Sequence, residues 1–235
     1  MANPVMQTID LTGASYSAAL LGMAATALLL LIGSSWVRGS WKLPVTLSGL
    51  AALVGVFVLY EAKAVWLSTS QVPLVYHYVG WIISMPLQVM ALFFFAKQVG
   101  PVSSSLFWRF LVVSVLMVLF RYLGEAGFVH ATLAFLIGII FWLYILGELF
   151  FGQMEDAVTK SLNVPVQRGY FWLRLIVTVG WAIYPLANFI ISFSGHVDTG
   201  GMSVAYNLAE FLNRMAFGLI ILASAVLASK GATDE

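Results

Sequence analysis

Apolar stretches of membrane-spanning length recur seven times along the chain, near residues 14–36, 44–67, 74–96, 106–123, 128–151, 170–193 and 205–229. About 20 such residues in a helix cross roughly 30 Å of hydrocarbon. A helix also lets one segment satisfy its own backbone donors and acceptors away from water. The connections between stretches are short, so consecutive helices are expected to pack as antiparallel neighbours. The expected fold is an all-α membrane protein, one seven-transmembrane-helix bundle over residues 1–235. Composition agrees with this reading. Only 9% of residues are charged and 61% are hydrophobic, whereas a soluble domain carries about 25% charged residues.

Several function classes fall away at once. A net charge of +1 provides no basic face for nucleic acid. The absence of Cys removes disulfides, thiolate metal sites and cysteine nucleophiles. Three scattered histidines, His77, His130 and His196, do not make a metal centre. No nucleophile and base stand at a usable spacing, so no enzymatic activity is expected.

Residues 1–13 are polar, contain Asp10 and lack a basic segment ahead of the first apolar run. That run therefore reads as a first membrane helix rather than a cleaved leader. Positive charges set the orientation. Arg38, Lys42, Lys97, Arg109, Lys160, Arg168, Arg174 and Lys230 lie on the side reached after spans 1, 3, 5 and 7, and only Lys63, Arg121 and Arg214 lie elsewhere. The positive-inside rule then places the N-terminus outside and the C-terminus in the cytoplasm.

Charged side chains within spans are costly and are functional candidates by default. Glu210 and Arg214 are four residues apart in span 7, so they share a helix face and are expected to pair. Such a pair is either a working site in the bundle interior or a structural cross-link between helices. Glu148, Glu61 beside Lys63, and Glu125 one turn after Arg121 read as packing and topology features. His77 opens span 3 and reads as an interfacial anchor. Span 3 has no Asp, Glu, Lys or Arg from Leu74 to Ala96, although a proton relay needs titratable groups along its path. Ser84 and Gln88 can only hydrogen-bond. Trp181, Tyr184 and Pro185 give span 6 a rigid aromatic wall and a kink.

These residues, in this order, resemble the microbial rhodopsins, and the proteorhodopsin branch above all. Span 7 reads Tyr206-Asn207-Leu208-Ala209-Glu210-Phe211-Leu212-Asn213-Arg214 where the family has YNLADFVNK. Span 6 carries Gly180-Trp181-Ala182-Ile183-Tyr184-Pro185, identical to GWAIYP. The turn between spans 4 and 5, Tyr122-Leu123-Gly124-Glu125-Ala126-Gly127, is similar to YMGEAG. Span 3 has His77-Tyr78-Val79-Gly80-Trp81 for RYIDW, then Met85-Pro86-Leu87 for VPL.

The departures from this pattern bear on function. The resemblance implies that the family's retinal-bearing lysine falls on Arg214, the primary counterion on Gly80 and the proton donor on Ala91. The arginine of the outward path falls on His77, and the histidine that accompanies the acceptor falls on Val58. Glu210 keeps the second counterion carboxylate. No covalent cofactor and no light-driven pumping are then expected. Trp81, Trp181, Tyr184 and Pro185 keep ring-lining positions, with Gln88 at the colour-tuning position, whereas Asn188 and Gly147 replace aromatic residues. The resemblance further implies a multi-pass protein of a bacterial inner membrane, in contact with lipid. It is expected as a homo-oligomer of five or six copies, or as a subunit mixed with a pumping rhodopsin. The alternatives are a non-covalent binder of retinal, another polyene or lipid, and a passive ion path entered from the Gly80 side.

Overall fold

The computed structural model describes residues 10–186 and 198–231. Asn188 and His196, both singled out in the sequence, lie outside them. The described residues form helices α1 (Leu11–Gly33), α2 (Lys42–Thr69), α3 (Leu74–Lys97), α4 (Ser104–Glu125), α5 (Ala131–Phe151) and the short α6 (Gln153–Thr159). Next comes α7 (Val164–Leu175), which runs through a π-helical segment, Ile176–Gly180, into helical residues 181–186. The last span is α8 (Thr199–Glu210), a second π-helical segment, Phe211–Ala216, and α9 (Phe217–Gly231). Six of these stretches are each long and apolar enough to cross a membrane, and the helix of α7 through residue 186 supplies the described part of the other span.

Polar caps explain why helices begin earlier than the apolar runs suggest. Asp10 accepts from the Gly13 amide at 2.9 Å, Asn163 from Val166 at 3.1 Å and Asp198 from Gly201 at 3.0 Å. Each cap satisfies an amide that has no partner within the helix. The first, sixth and seventh spans therefore start at residues 11, 164 and 199 rather than 14, 170 and 205. Helix α6 is an addition to the expected scheme. It buries Met154, Ala157 and Val158, while Glu155 reaches Arg174 at 2.6 Å and Asp156 pairs with Lys160 at 3.1 Å.

Neighbouring helices pack in chain order from α1 to α5, and α8 against α1 with α9 against α7 and α2 closes the ring. Helix α3 is the most enclosed. Of its apolar window 67% is buried, against 28% for α4 and 22% for α5. The α4 and α5 faces instead expose Leu119, Leu133, Leu136, Ile140 and Leu143, as hydrocarbon contact demands. The peripheral charges pair locally: Arg121 meets Glu125 at 3.3 Å, and Arg109 meets Glu148 at 3.5 Å.

Candidate functional site

Two helices of the same direction carry polar residues at the same spacing. On α3 they are His77, Trp81, Ser84 and Gln88. On the last span they are Ser203, Asn207, Glu210 and Arg214. Steps of four, three and four residues hold one face of a helix, so the stripes meet lengthwise as a seam through the bundle. Its bonds keep a nearly constant register. Trp81 Nε1 donates to Glu210 Oε1 at 2.9 Å, Arg214 Nη2 donates to Ser84 Oγ at 2.7 Å, and the Gln88 amide donates to the Asn213 carbonyl.

Glu210 and Arg214 form an ion pair at the centre of this seam, both with 3% or less of their surface exposed. Tyr184, from the sixth span, adds a hydroxyl donor to Glu210 Oε1 at 3.3 Å. Ser84 passes its own proton to the Gly80 carbonyl at 2.8 Å, which leaves its lone pairs for the guanidinium. The aliphatic stem of Arg214 runs past Gly55 on α2, where a methyl group would lie 3.3 Å from its Cδ. An isolated charge in hydrocarbon costs several kcal/mol. Here the two charges cancel, and each is held by further hydrogen bonds, the condition under which a buried pair persists.

Both π-helical segments flank the seam. A π turn leaves main-chain carbonyls without their usual intrahelical partners, and side chains supply donors for three of them. Trp142 of α5 donates to the Val177 carbonyl at 3.0 Å, Asn213 donates to the Gly180 carbonyl at 2.9 Å, and Gln88 donates to that of Asn213. Span 6 is thus tied to both α5 and the last span at its irregular turn.

The structure changes three readings made from the sequence. His77 is not an interfacial anchor but is fully buried. Its ring stacks on Trp81 at 5.6 Å and meets Tyr206 edge-on at 5.3 Å. His77 lies on the inner side of the first turn of α3, whose Val75 and Tyr76 face outward. Gly80 offers no opening: a Cβ there would lie 2.8 Å from Val58 Cγ2. Glycine and valine fill that gap together. Gln88 does not line the aromatic cavity, because its amide is turned to the main chain of the last span.

That cavity has a volume of about 60 Å³ and lies between α3, α4, α5 and the sixth span. Trp81, Trp142, Trp181, Tyr184 and Pro185 line it, with Met85 and Met117 closing one side. A Cβ at Gly147 would meet nothing within 4 Å, and the residue stands apart from the cavity. Ala91 is fully buried on α3, with no titratable neighbour on its helix face.

Trp142, Asn213, Tyr16 and Ser203 escaped the sequence reading. For Ser203 a signal was present, since it continues the spacing of Asn207, Glu210 and Arg214 by one turn. The role of Trp142 had none, because its partner is a main-chain carbonyl freed by a π turn.

Residues 10–228 match the family described as bacteriorhodopsin-like protein. The chain belongs to the bacteriorhodopsin-like family. It is 33% identical to the green-light absorbing proteorhodopsin of Gamma-proteobacterium EBAC31A08 over 224 residues, 95% of this chain and 90% of that one. The blue light-absorbing proteorhodopsin from Med12 superposes with a TM-score of 0.79 at 30% identity, covering 93% of this chain and 100% of that one. Xanthorhodopsin, a light-driven ion pump with dual chromophore, superposes with a TM-score of 0.83 at 19% identity, with 95% of each chain covered, and shares the fold.

Proposed function

We propose that this protein is a rhodopsin relative that neither attaches retinal covalently nor pumps protons, and that it serves as a structural or regulatory subunit in oligomers. Those oligomers are homo-oligomers of five or six copies, or mixed rings with a pumping rhodopsin, in a bacterial inner membrane. The observation that carries this reading is the state of Arg214. A Schiff base forms when a neutral primary amine attacks an aldehyde. A guanidinium stays protonated below a pKa of about 12, and its nitrogens are delocalised. This one is also held between Glu210 and Ser84. The buried polar residues among those described include no lysine. Val58 against Gly80 further argues against an acceptor carboxylate on α3. The residues present therefore do not fit a covalent retinal, and the ion pair reads as a cross-link.

The apolar faces of α4 and α5 give such a subunit ample surface for a second copy or for a rhodopsin. The test is an absorption spectrum of the purified protein after incubation with all-trans retinal, together with its oligomeric state in lipid. The near-ultraviolet band of free retinal alone, with rings or co-purification with a co-expressed proteorhodopsin, is expected. A monomer that ignores the rhodopsin would end the subunit role, and a red-shifted band would end the retinal-free one.

The aromatic cavity favours a second reading, a non-covalent binder of a polyene or lipid tail. Its volume of about 60 Å³ argues against a preformed site, since a cavity of roughly 150 Å³ is what accepts benzene. Saturable quenching of tryptophan emission, from Trp81, Trp142 and Trp181 on the cavity wall, is the signature it requires. A passive ion path is disfavoured by the apolar inner third of the bundle, where Leu92, Phe95, Leu173 and Ile221 are buried.

A further inference from the structure

Charges are unevenly matched at the end of the bundle that the positive-inside rule assigns to the cytoplasm. Among the described residues, each carboxylate there already has a partner. Glu148 holds Arg109 at 3.5 Å, Glu155 holds Arg174 at 2.6 Å and Asp156 holds Lys160 at 3.1 Å. All three lie on α5 and α6, so that part of the rim neutralises itself. The connector between α1 and α2 differs. It carries Arg38 and Lys42, both exposed and neither in an ion pair among the described residues. No Asp or Glu occurs from Leu11 to Tyr60 or from Ala62 to Gly124, so spans 1 to 4 bring no carboxylate to this end.

The connector is pinned on its inner side, which leaves the two cations outside. Val37 is buried with 1% of its surface exposed, Ser40 Oγ donates to Gln98 Oε1 at the end of α3, and the Trp41 ring meets Phe95 edge-on at 5.6 Å. Gly39 turns the chain at φ +56°, a left-handed conformation open to a residue without Cβ. A single 3₁₀ turn, Gly39–Trp41, then leads straight into α2. Arg38 and Lys42 therefore flank one tight turn. Their neighbours set their depth. Exposed Trp36 stands two residues before Arg38, exposed Ile32 lies one turn further back, and exposed Leu43 directly follows Lys42. Leu43, Leu50 and Phe57 keep an exposed face of α2 at steps of seven. The cations thus cap a hydrocarbon-facing wall at headgroup height, where indole rings concentrate.

We propose that the turn from Arg38 to Lys42 is a binding site for an anionic phospholipid of the adjoining leaflet, with its phosphate between the two cations and an acyl chain along Leu43, Leu50 and Phe57. Guanidinium offers a planar fork that matches two phosphate oxygens, and the ammonium adds a point charge beside it. With no carboxylate from spans 1 to 4 at this end, the phosphate has no acidic side chain of the connector to displace. A soluble acidic partner would answer the charge but would leave Trp36 and the apolar face below it uncovered. A phospholipid answers both with one molecule. Each cation at a leaflet surface raises affinity for an anionic lipid about fivefold, so the two together are worth about 25-fold.

Native mass spectrometry of the full-length protein tests the site, in detergent micelles doped with equal amounts of phosphatidylglycerol and phosphatidylcholine of one chain length. Phosphatidylglycerol is expected to bind in preference, and equal occupancy by the two lipids would overturn the site. In Arg38→Gln with Lys42→Gln the first bound phosphatidylglycerol should weaken about 25-fold, while phosphatidylcholine binds as before. Lys160→Gln removes a cation of the same rim that Asp156 already holds, and it should leave the preference unchanged. A loss as large as in the double variant would mean that the field of the whole rim attracts the lipid, and would overturn the assignment to this turn. On the unaltered protein, glycerophosphoglycerol, the same head without chains, should fail to displace phosphatidylglycerol at equal concentration. Displacement would show that the apolar face takes no part and would overturn the leaflet lipid as occupant.

Discussion

The two ends of the polar seam are built on opposite principles. At the N-terminal end the polar atoms outnumber the bonds available to them, and Tyr16, His77, Ser203 and Asn207 keep unused capacity. At the far end each donor has a main-chain target: Gln88 and Asn213 cap carbonyls that the π turns release, and one acceptor, Asn213 Oδ1, is left over. Between them Glu210 and Arg214 hold the middle. A polar group placed where solvent can complete it is tolerant of change. One that completes a helix break inside hydrocarbon is not, because nothing else can reach the exposed carbonyl. The comparison predicts where substitutions are expensive.

The largest effect is expected at the midpoint. Glu210→Gln leaves Arg214 as an uncompensated buried charge, which costs about 3–5 kcal/mol. Unfolding of the reconstituted protein in a denaturing detergent should show the loss. The paired replacement Glu210→Leu with Arg214→Met should recover most of it, because a well-packed apolar pair is often neutral against a buried ion pair. If the double variant unfolds as readily as Glu210→Gln, the hydrogen bonds from Trp81, Tyr184 and Ser84 carry the stability and the ion pair does not.

Next comes the far end. Asn213→Leu removes the donor to Gly180, and a buried carbonyl left without a partner costs about 1–3 kcal/mol. Amide hydrogen exchange should report the damage locally, with faster opening of residues 176–180 than of α1. Unchanged exchange there would mean that the π turn is held by packing and that the capping bonds follow from it.

The sequence made the membrane class and the helix count legible, because hydrocarbon imposes length and polarity on every segment. The pairing of Glu210 with Arg214 was legible for the same reason, through helical spacing and the cost of a lone charge. The family followed from motifs such as Gly180-Trp181-Ala182-Ile183-Tyr184-Pro185. Positions set by tertiary closeness were not legible. Nothing in the spacing around His77 distinguishes an interfacial ring from one driven inward, and only its contact with Tyr206, 129 residues later, decides it. Gly80 reads as a missing side chain until Val58 is seen to fill its place. The π turns leave no mark in the residues that contain them, so the roles of Trp142 and Asn213 stayed hidden.

A smaller effect tests that filled place. Gly80→Ala puts a methyl group 2.8 Å from Val58 Cγ2, and overpacking of this kind costs about 1–3 kcal/mol. Val58→Ala should relieve it, so that the double variant melts closer to the parent than Gly80→Ala alone. Additive losses would show that α2 and α3 yield independently and that the two side chains do not share one volume.

The smallest effect belongs to the N-terminal end. Ser203→Ala deletes a hydroxyl that has no protein partner, and removing such a group is nearly neutral where the remaining atoms can rebond to water. A change within about 0.5 kcal/mol is expected, measured in the same detergent unfolding as Asn213→Leu. The two substitutions sit ten residues apart on one span, and each removes one small polar group. If Ser203→Ala proves as costly as Asn213→Leu, the hydroxyl is bonded within the protein, and the contrast between an under-bonded end and a capped end of the seam is lost.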